Sequence, residues 1–355
     1  MATSTTRVVR GSGVLVAIMA MAMAVATATM MTNDDTAAAW SLAVDFHALS
    51  CPDLHGMVHS AVAAARGQDV QVTAGLLRIF FHDCFPQGCD ASILLDGWNS
   101  EKKMIQNEGL QQRALDLIES IRDTVHKRCG ATVSCADILA LATGYAVTLA
   151  GGPWISMPLG RRDSLEPAPF WAVNNSLPRP DADVNTLIDR FRSKGLGDHA
   201  DLVALSGAHT VGKARCKNFR DRISRPNDDF TWRLAGFCGN DGNRQQNLDV
   251  ITPDTFDNRY FVDLRNRQGV LTTDQGIAND GRTSWLIKGF ADNQAWFFGQ
   301  FAQSMVKLSQ MRGAGGGEIR GNCFRRNAGG INLHQTQTDA AAAGDDEATT
   351  LAASA

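Results

Sequence analysis

Arg78 and His82 are charged or titratable residues inside the apolar stretch LLRIFFHDCFPQGCDASILLD, which covers residues 76–96. Such side chains rarely lie among so many Leu, Ile and Phe residues unless a partner compensates them. The two residues are four positions apart, so on a helix they share a face, and Phe81 lies beside them. One interpretation is structural, with the histidine bonded to a carbonyl group and the arginine to a carboxylate. The other is that both side chains serve a bound group.

A second histidine, His209, lies in the apolar segment LVALSGAHTVGKARC, which predicts another helix. The small residues Ser-Gly-Ala at positions 206–208 would let a flat, bulky ligand come close to that helix. Further along, the segment TPDTFDNRYFVDLRNRQGVLTTDQ supplies Asp257 and Asp274. Two apolar helices that each carry a histidine, one of them with an arginine as well, suit a cofactor that one histidine holds while the other acts on it.

The elements that would position these residues are mostly helices. Apolar residues recur at helical spacing in PDLHGMVHSAVAAARG, DVNTLIDRFRSKGLG and WFFGQFAQSMVKLSQM, and Gly67 and Gly195 are expected to end the first two helices. Alternation with a period of two residues is scarce, so few strands are expected. GGPWISMPLGRRDS and SLPRPDAD contain the glycine and proline residues typical of loops. The pattern predicts an all-α domain with long connecting loops.

The N-terminal segment has the layout of a secretory signal peptide. Arg7 and Arg10 precede the apolar run VLVAIMAMAMAVATA, which ends in Ala-x-Ala sites near Ala26 and Ala28. A retained anchor is the alternative, but the run is shorter than the about 20 residues of a comfortable membrane span.

The C-terminal segment AGGINLHQTQTDAAAAGDDEATTLAASA is poor in large apolar residues and cannot bury enough surface to order itself. We therefore divide the chain into three parts. Residues 1–39 are a signal peptide and processing region, cleaved between residues 28 and 41. Residues 40–327 form one domain, and residues 328–355 are a disordered extension or propeptide.

Charge and cysteine content narrow the class of protein. The formal net charge of the 355 residues is −3, and no block of basic residues favours nucleic-acid binding. The eight cysteines follow an export signal, so disulfides are expected rather than free thiols. Spacing alone leaves about a hundred pairings open, although Cys84 and Cys89 are close enough to pair with each other. Zinc is not favoured, because the sequence has no CxxC pairs.

Six motifs resemble those of the class III secretory plant peroxidases, a family of haem enzymes, and occur in the family's order. They are RIFFHDCF…GCDASILLD, VSCADILALA, PLGRRDS, LVALSGAHTVG, TFDNRYF and GEIRGNC, and the likeness extends from Leu42 to Asn327. The resemblance implies the haem peroxidase fold, in which distal and proximal helical halves sandwich haem b, with four disulfides and little β structure. The implied activity is the reduction of hydrogen peroxide while phenolic donors lose one electron each.

The resemblance assigns roles on both faces of the haem. His209 would be the axial ligand of the iron, and Asp274 would accept its Nδ1 hydrogen, which makes a ligating imidazole more electron-donating. On the distal side, His82 would take a proton from the first peroxide oxygen and return it to the leaving oxygen. Arg78 would stabilise the negative charge that develops as the bond breaks. Asn107, in MIQNEG, would hold the distal imidazole in its basic tautomer.

Two details of the distal segment bear on specificity and alignment. Phe81 occupies the position above the haem where intracellular relatives carry Trp, which points to small-molecule reductants rather than a protein partner. The segment NEGLQQRAL, which begins at Asn107, departs from the RGF wording that is commoner in the family.

The resemblance also implies two calcium sites, each directly after a catalytic histidine, because hard cations collect carboxylate, hydroxyl and carbonyl oxygens. The alternative interpretation is that these Asp and Ser residues cap turns. The distal site would take ligands from Asp83, Pro86, Gly88, Asp90 and Ser92, with Glu101 connected through water. The proximal site would take ligands from Thr210, Asp249, Thr252, Thr255 and Asp257.

The same resemblance supplies the remaining expectations. The implied disulfides are Cys51–Cys129, Cys84–Cys89, Cys135–Cys323 and Cys216–Cys238. Phenolic donors would stack at an exposed haem edge near Pro178, and Asn174 begins the sequon NNS, a candidate N-glycan acceptor. We expect a secreted monomer of the apoplast or cell wall, with no nucleic-acid partner and no membrane partner after signal cleavage. Lignin metabolism, defence and the response to oxidative stress are the expected settings, and the vacuole is the alternative location if the tail is a sorting propeptide.

Two other functions compete with this interpretation. A secreted, disulfide-rich binding or structural protein could keep the fold without catalysis, but it would need none of Arg78, His82, His209 and Asp274. A hydrolase is not favoured, because no G-x-S-x-G elbow occurs. Haem absorbance would separate the peroxidase from both competitors.

Overall fold

The computed structural model describes residues 1–2, 41–313 and 316–328. The predicted signal peptide, its cleavage site and the C-terminal extension from residue 329 onward lie outside the described residues. The helices and strands named below belong to one compact unit that begins at Leu42. None of the helices within the described ranges has the length and apolar character needed to cross a membrane.

Thirteen α-helices and one two-stranded sheet form the described fold, together with short 3₁₀ turns. The helices are α1 (Leu54–Gln68), α2 (Val72–Gln87), α3 (Gln112–Cys129), α4 (Cys135–Leu149), α5 (Phe170–Ser176), α6 (Val184–Ser193), α7 (His199–Ser206), α8 (Arg220–Ser224), α9 (Asp229–Cys238), α10 (Arg259–Arg265), α11 (Thr272–Asn279), α12 (Ser284–Asp292) and α13 (Gln294–Ser309). The 3₁₀ turns are Ser92–Leu94, Glu101–Lys103, Ile105–Asn107, Gly207–Thr210 and Cys216–Phe219. The strands β1 (Lys213–Arg215) and β2 (Gln245–Asn247) pair in antiparallel register. The predicted all-α class with little β structure is confirmed.

The three helices predicted from apolar spacing are α1, α6 and α13. Helix α6 begins where the Asp183 carboxylate accepts a hydrogen bond from the Thr186 amide, and it ends two residues before Gly195, which has a φ of +75°. Asn293 caps α13 in the same way, through the Trp296 amide. Helix α1 extends one residue past Gly67, because that glycine lies in helical geometry instead of ending the helix.

Helix α4 is the centre of the distal half, which consists of helices α1–α4. It is buried from residue 135 to residue 147 and packs against α1, α2 and α3. A helix that is apolar all round is stable only in such a position, with neighbours on several sides. Helix α4 therefore forms the support against which α2, the helix that carries Arg78 and His82, is held.

The proximal half, which contains α7, α10, α12 and α13, is built around aromatic side chains. Helix α13 packs against α7 and α12, and the rings of Phe256, Phe261, Phe290, Phe297 and Phe301 contact one another at centroid distances of 4.8–5.9 Å. Edge-to-face and offset contacts of this kind add about 0.5–1.5 kcal/mol each to the free energy of burial. This cluster lies directly beneath the turn that carries His209.

Four disulfides connect the described elements, and they join the same cysteines that the resemblance implied. The pairs are Cys51–Cys129, Cys84–Cys89, Cys135–Cys323 and Cys216–Cys238. The third bridge spans 188 residues, so it ties the start of α4 to the C-terminal end of the described chain. The second closes the end of α2, directly after the helix turn that contains His82.

Candidate active site

Helix α2 presents one stripe of residues that are less buried than their neighbours. Arg78, Phe81 and His82 are partly exposed, whereas Leu76, Leu77, Ile79 and Phe80 around them are buried. The spacing of three and four residues places the stripe on one face of the helix. The sequence prediction that these three side chains share a face agrees with the structure.

The His82 ring is oriented by an amide. Its Nδ1 lies 2.6 Å from Asn107 Oδ1, and Asn107 Nδ2 donates to the Glu101 carbonyl at 2.9 Å. Since the amide nitrogen is used by the carbonyl group, the amide oxygen must accept, and His82 Nδ1 must carry the hydrogen. The Nε2 atom of His82 is then left as a proton acceptor.

The electrostatics of His82 favour the neutral ring. Burial and the adjacent Arg78 guanidinium lower the pKa of His82 to about 3, although the Asn107 hydrogen bond opposes this shift. Removing the ring from water disfavours its charged form, and a neighbouring cation adds to the effect. At neutral pH this imidazole is therefore free to take up a proton from a bound substrate.

Phe81 is held in place by aromatic contacts. Its ring stacks on Phe85 at a centroid distance of 4.6 Å and lies 6.3 Å from Phe191, while the His82 ring meets it edge-on at 6.1 Å. These three ring contacts leave the Phe81 ring little freedom, and they make it an apolar neighbour of the His82 ring.

His209 is oriented by a carboxylate instead of an amide. Its Nδ1 lies 2.8 Å from Asp274 Oδ1, and the same oxygen accepts from the Tyr260 hydroxyl at 3.0 Å. The other oxygen, Oδ2, accepts from the Leu271 amide at 3.1 Å. Burial by itself would lower the pKa of His209, but the Asp274 carboxylate raises it above the usual value. A ring whose Nδ1 hydrogen is given to a carboxylate presents Nε2 as a ligand, the arrangement common to metal-binding histidines.

The structure corrects the prediction that His209 lies within a helix. Helix α7 ends at Ser206, and His209 lies in the 3₁₀ turn Gly207–Thr210. At Gly207 a Cβ would lie 2.5 Å from Phe297 and 2.8 Å from Phe261, so the missing side chain makes room for aromatic rings of the proximal core. The close approach of a flat ligand to residues 206–208 stays a prediction.

The residues expected at the distal calcium site form a buried acidic cluster. Asp83, Asp90 and Glu101 are each at most 5% exposed. Ser92 Oγ and Glu101 Oε2 are buried without a hydrogen-bond partner among the described residues. Burial raises the pKa of Asp90 to about 6 and that of Glu101 to about 7, and it raises the pKa of Asp83 well above its usual value. Buried carboxylate and hydroxyl oxygen atoms that are left without hydrogen-bond partners fit a hard cation.

Gly88 and Pro86, which were also expected to bind the distal calcium ion, lie in different surroundings. Gly88 has a φ of +117°, and a Cβ there would overlap the Arg312 carbonyl, so the chain can pass only because the residue is glycine. The Pro86 carbonyl accepts from Lys194 Nζ at 2.6 Å and from Ser176 Oγ at 3.4 Å. The structure thus directs the Pro86 oxygen to an ammonium group, a partner that the sequence did not indicate.

The residues expected at the proximal calcium site converge on one hydroxyl. Thr210 Oγ1 lies 3.0 Å from Asp249 Oδ2, and it lies 3.4 Å from both the Thr255 carbonyl and Asp257 Oδ1. Thr252 Oγ1 donates to Asp257 Oδ1 at 3.0 Å. Two carboxylates, two hydroxyls and a carbonyl brought so close together form an oxygen-rich donor set of the kind that calcium takes.

Asp263 is an acidic residue of this region that sequence reasoning missed. It is fully buried, its Oδ1 has no hydrogen-bond partner among the described residues, and its Oδ2 accepts from the Val250 amide at 2.8 Å. Burial, together with Asp249, raises its pKa to about 8. An acidic residue inside the apolar run RYFVDLR was the signal in the sequence that could have indicated Asp263.

Within residues 41–313 and 316–328, no three His, Cys, Asp or Glu side chains are placed to hold a metal ion by themselves.

The expected donor edge at Pro178 and the sequon at Asn174 lie close to the loop that contains Gln106. Pro178 is partly exposed, and Arg190 donates to the carbonyl of Leu177, the residue before it. Asn174 is exposed in α5, and its Oδ1 accepts from Gln106 Nε2 at 2.8 Å. The segments around residues 106 and 174–178 are therefore neighbours.

The fold is that of the haem peroxidases: a helical body with four disulfides and almost no sheet. A family model described as peroxidase matches residues 58–293. Cationic peroxidase SPC4 of Sorghum bicolor is 45% identical over 304 residues, which is 82% of this chain and 84% of the relative. Peroxidase 12 of Arabidopsis thaliana is 43% identical over 306 residues, 82% of this chain and 85% of the relative.

A third relative, peroxidase 49 of Arabidopsis thaliana, is 38% identical over 311 residues, 83% of this chain and 93% of its own length. Family match and relatives cover most of the chain and agree with each other. The chain therefore belongs to the class III plant peroxidases. It is a haem-dependent enzyme that reduces hydrogen peroxide.

Proposed function

We propose that this peroxidase oxidises small phenolic donors, with haem b held by His209 and peroxide handled by Arg78 and His82. Two phenolic molecules and one hydrogen peroxide give two phenoxyl radicals and two molecules of water. When bound, haem supplies the iron at which the peroxide bond breaks and the oxidising power that the donors then consume. The remaining steps belong to side chains of this chain.

On the distal side, His82 Nε2 would accept a proton from one peroxide oxygen and return it to the other oxygen, which leaves as water. Asn107 keeps the hydrogen of the ring on Nδ1 throughout this transfer. The Arg78 guanidinium donates hydrogen bonds to the leaving oxygen and stabilises its growing negative charge. Phe81 limits access beside them and offers no readily oxidised indole, which favours small reductants in solution.

The observation that carries the proposal is the difference between the partners of the two histidines. His82 Nδ1 bonds to a neutral amide at 2.6 Å, and His209 Nδ1 bonds to a carboxylate at 2.8 Å. The first partner leaves a weakly basic, neutral ring that exchanges protons, whereas the second strengthens a ring as an electron-donating ligand. A scaffold without catalysis would gain nothing from opposite environments for its two histidines.

The experiment that tests this proposal is a visible spectrum of the purified mature protein before and after one equivalent of hydrogen peroxide. We expect a Soret band that shifts with peroxide and recovers when a phenolic donor such as guaiacol is added. His209→Ala should lose the Soret band of the bound haem, and His82→Ala should keep the band but respond to peroxide about 10²–10⁴ times more slowly. A full-speed response of His82→Ala would contradict the assignment of the distal base.

We also propose calcium at both acidic clusters. At the distal site the buried oxygens of Asp83, Asp90 and Ser92 support it, with Gly88 as a carbonyl ligand and Glu101 through water. The Pro86 carbonyl accepts a hydrogen bond from Lys194, so we propose it as a weaker calcium ligand than the resemblance implies. The proximal donor set is that of Thr210, Asp249, Thr252, Thr255 and Asp257.

Removal of calcium should loosen the haem site, because each cluster directly follows one of the two histidines. We expect a chelator such as EGTA to lower the melting temperature and the rate of peroxide turnover together, and added Ca²⁺ to restore both. Mg²⁺ should restore neither, since it demands a smaller, near-octahedral site. Turnover that is unchanged after the calcium content has fallen to zero would contradict this proposal.

The location and donor follow from the same family. We propose secretion to the apoplast or cell wall as a monomer, with the vacuole as the alternative if the C-terminal extension is a sorting propeptide. Pro178 is proposed as the edge where the aromatic donor stacks, and Asn174 as an N-glycan acceptor, since its side chain is exposed. Fractionation of plant tissue that expresses the full chain, with and without the extension, tests the location.

A further inference from the structure

Glu108 joins two parts of the chain that are far apart in sequence. Its Oε1 lies 3.1 Å from Arg215 Nη1 and 2.6 Å from Lys217 Nζ. Arg215 ends β1, the strand that follows the turn of His209, and Lys217 comes directly after Cys216. Glu108 itself comes directly after Asn107, in the segment whose wording departs from that of the family. The carboxylate therefore connects the loop of residues 106–109 to the chain that follows His209.

The same loop is the hydrogen-bond acceptor for the distal arginine. Arg78 Nη2 donates to the Glu108 carbonyl at 3.1 Å and to the Gln106 carbonyl at 3.3 Å. These two main-chain oxygens determine where the guanidinium plane lies. Any shift of residues 106–108 would be passed directly to Arg78, because a hydrogen bond of this kind tolerates only a few tenths of an ångström.

The chain next to Glu108 is shaped to fit Arg215. Gly109 has a φ of +79°, and a Cβ at this position would lie 3.2 Å from Arg215 Nη2. A glycine lets the loop turn and lie close over the guanidinium. The two cations are themselves held by the backbone of Cys216, which lies between them and is bonded to Cys238. The Lys217 ammonium also lowers the pKa of Glu108, so the carboxylate is ionised throughout the neutral range.

We propose that Glu108 is a positioning residue for Arg78: its side chain, held by Arg215 and Lys217, keeps the Glu108 carbonyl at the place where it orients the catalytic guanidinium. This inference rests on the proposed role of Arg78 and adds the residues that place it. The three charged groups are 33–48% exposed, so their attraction is screened by salt. The peroxide step should therefore depend on ionic strength through a contact that does not touch the peroxide.

The test compares Glu108→Gln with Asp292→Asn in the haem-loaded, calcium-loaded enzyme. Asp292 forms an exposed ion pair with Arg265 at the end of α12, with a similar exposure of 54%, and its side chain bonds to Arg265 and to no site residue in the described part of the chain. We expect Glu108→Gln to slow the reaction with hydrogen peroxide by about three- to thirtyfold, because a small misplacement of a catalytic group is costly. Asp292→Asn should stay within about twofold of the wild type.

A second readout does not depend on turnover. In the haem-loaded enzyme fluoride would bind within reach of Arg78 and shift the Soret band, so its affinity would report how well the guanidinium is placed. We expect Glu108→Gln to weaken fluoride binding by a factor similar to the loss in rate. Raising sodium chloride from about 10 mM to 500 mM should reduce both values in the wild type and should have little effect in Glu108→Gln.

A double mutant separates the failure of this inference from the failure of the proposed function. If Glu108 acts through Arg78, Glu108→Gln should have no further effect in an Arg78→Lys background. If Arg78→Lys reacts with peroxide at the wild-type rate, the proposed role of Arg78 fails. If Arg78→Lys is slow but Glu108→Gln behaves like Asp292→Asn, only the positioning role is overturned. Lys217→Gln, which leaves the loop residues unchanged, gives the same decision should Glu108→Gln fail to bind haem.

Discussion

The Asp274 carboxylate serves two purposes with its two oxygens. Oδ1 accepts from His209 and Tyr260, and Oδ2 accepts from the Leu271 amide at the start of α11. Oδ2 therefore caps the helix, whereas Oδ1 is the partner of His209. Since the start of the helix depends on the same group as the histidine, the position of His209 is tied to the fold.

Replacing Asp274 tests the proximal pair. We expect Asp274→Asn to lower the rate with hydrogen peroxide by about 10–100-fold, because an amide oxygen accepts the Nδ1 hydrogen less strongly and His209 becomes a weaker donor to the iron. The midpoint potential of the iron couple should rise in the same variant. Stopped-flow kinetics and a redox titration provide the two values. Tyr260→Phe, which leaves the His209–Asp274 bond intact, should stay within about threefold.

The low pKa of His82 predicts an unusual pH profile. Its folded-state pKa of about 3 lies below the ordinary value of 6.5, so the folded protein keeps this ring neutral over a range where an unfolded chain would take up the proton. The rate with peroxide should stay nearly constant from pH 8 down to pH 4 and fall with a midpoint near 3. The same shift costs stability as the pH falls below 6.5.

A pH-jump experiment measures this rate before slow unfolding begins. The protein is kept at pH 7 and mixed with acidic buffer that contains peroxide. An acid limb centred near 6.5 in the wild type would mean that the ring is not shielded as the geometry indicates.

At the scale of elements, the turn of His209 depends on close contact with α10 and α13. Gly207 is the contact point, since a Cβ would overlap Phe297 and Phe261. We expect Gly207→Ala to destabilise the protein by about 1–3 kcal/mol through overpacking and to weaken haem retention as the turn is displaced. Urea unfolding and the Soret absorbance after dialysis measure the two effects.

Gly236 provides the matched control for this prediction. It lies within α9, and a Cβ there would meet nothing within 4 Å. Gly236→Ala should raise stability by up to about 1 kcal/mol, because alanine is the better helix former. If both variants behaved alike, close packing would not be what positions the turn.

The elements also show what could be predicted before the fold was known. The common face of Arg78, Phe81 and His82 follows from the helical repeat alone, and so do α1, α6 and α13. The turn of His209 could not be predicted in the same way. Its apolar residues favoured a continuous helix, and the 3₁₀ turn at Gly207–Thr210, packed against Phe261 and Phe297, is seen only in the tertiary structure.

At the scale of the whole molecule, the Cys135–Cys323 disulfide closes the longest loop. It spans 188 residues, whereas Cys216–Cys238 spans 22. In the chain-entropy model the long bridge contributes about 5 kcal/mol to the free energy of unfolding and the short one about 3 kcal/mol. We expect Cys135→Ser/Cys323→Ser to be the less stable of the two double variants in guanidinium chloride.

The short bridge should instead affect function. Cys216 lies between Arg215 and Lys217, so Cys216→Ser/Cys238→Ser should reduce the rate with peroxide more than its stability loss suggests. Rates at equal fractions of folded enzyme make the comparison fair. Equal stability of the two double variants would contradict the entropic explanation.

The sequence by itself determined the family of this protein and pointed to the residues that are proposed to hold and serve the haem. Helical periodicity is a local property, so neighbours at three and four residues can be named without a structure. Motifs in family order then identified His209, Asp274 and the cysteine pairs through resemblance.

Tertiary structure alone decided which distant groups meet. The bond from His209 to Asp274 joins positions 65 residues apart, and that from Glu108 to Lys217 joins positions 109 residues apart. The carbonyl of Pro86 faces Lys194 across 108 residues. No spacing rule covers such pairs, because they depend on how buried helices pack and where loops cross, which is a property of the whole chain.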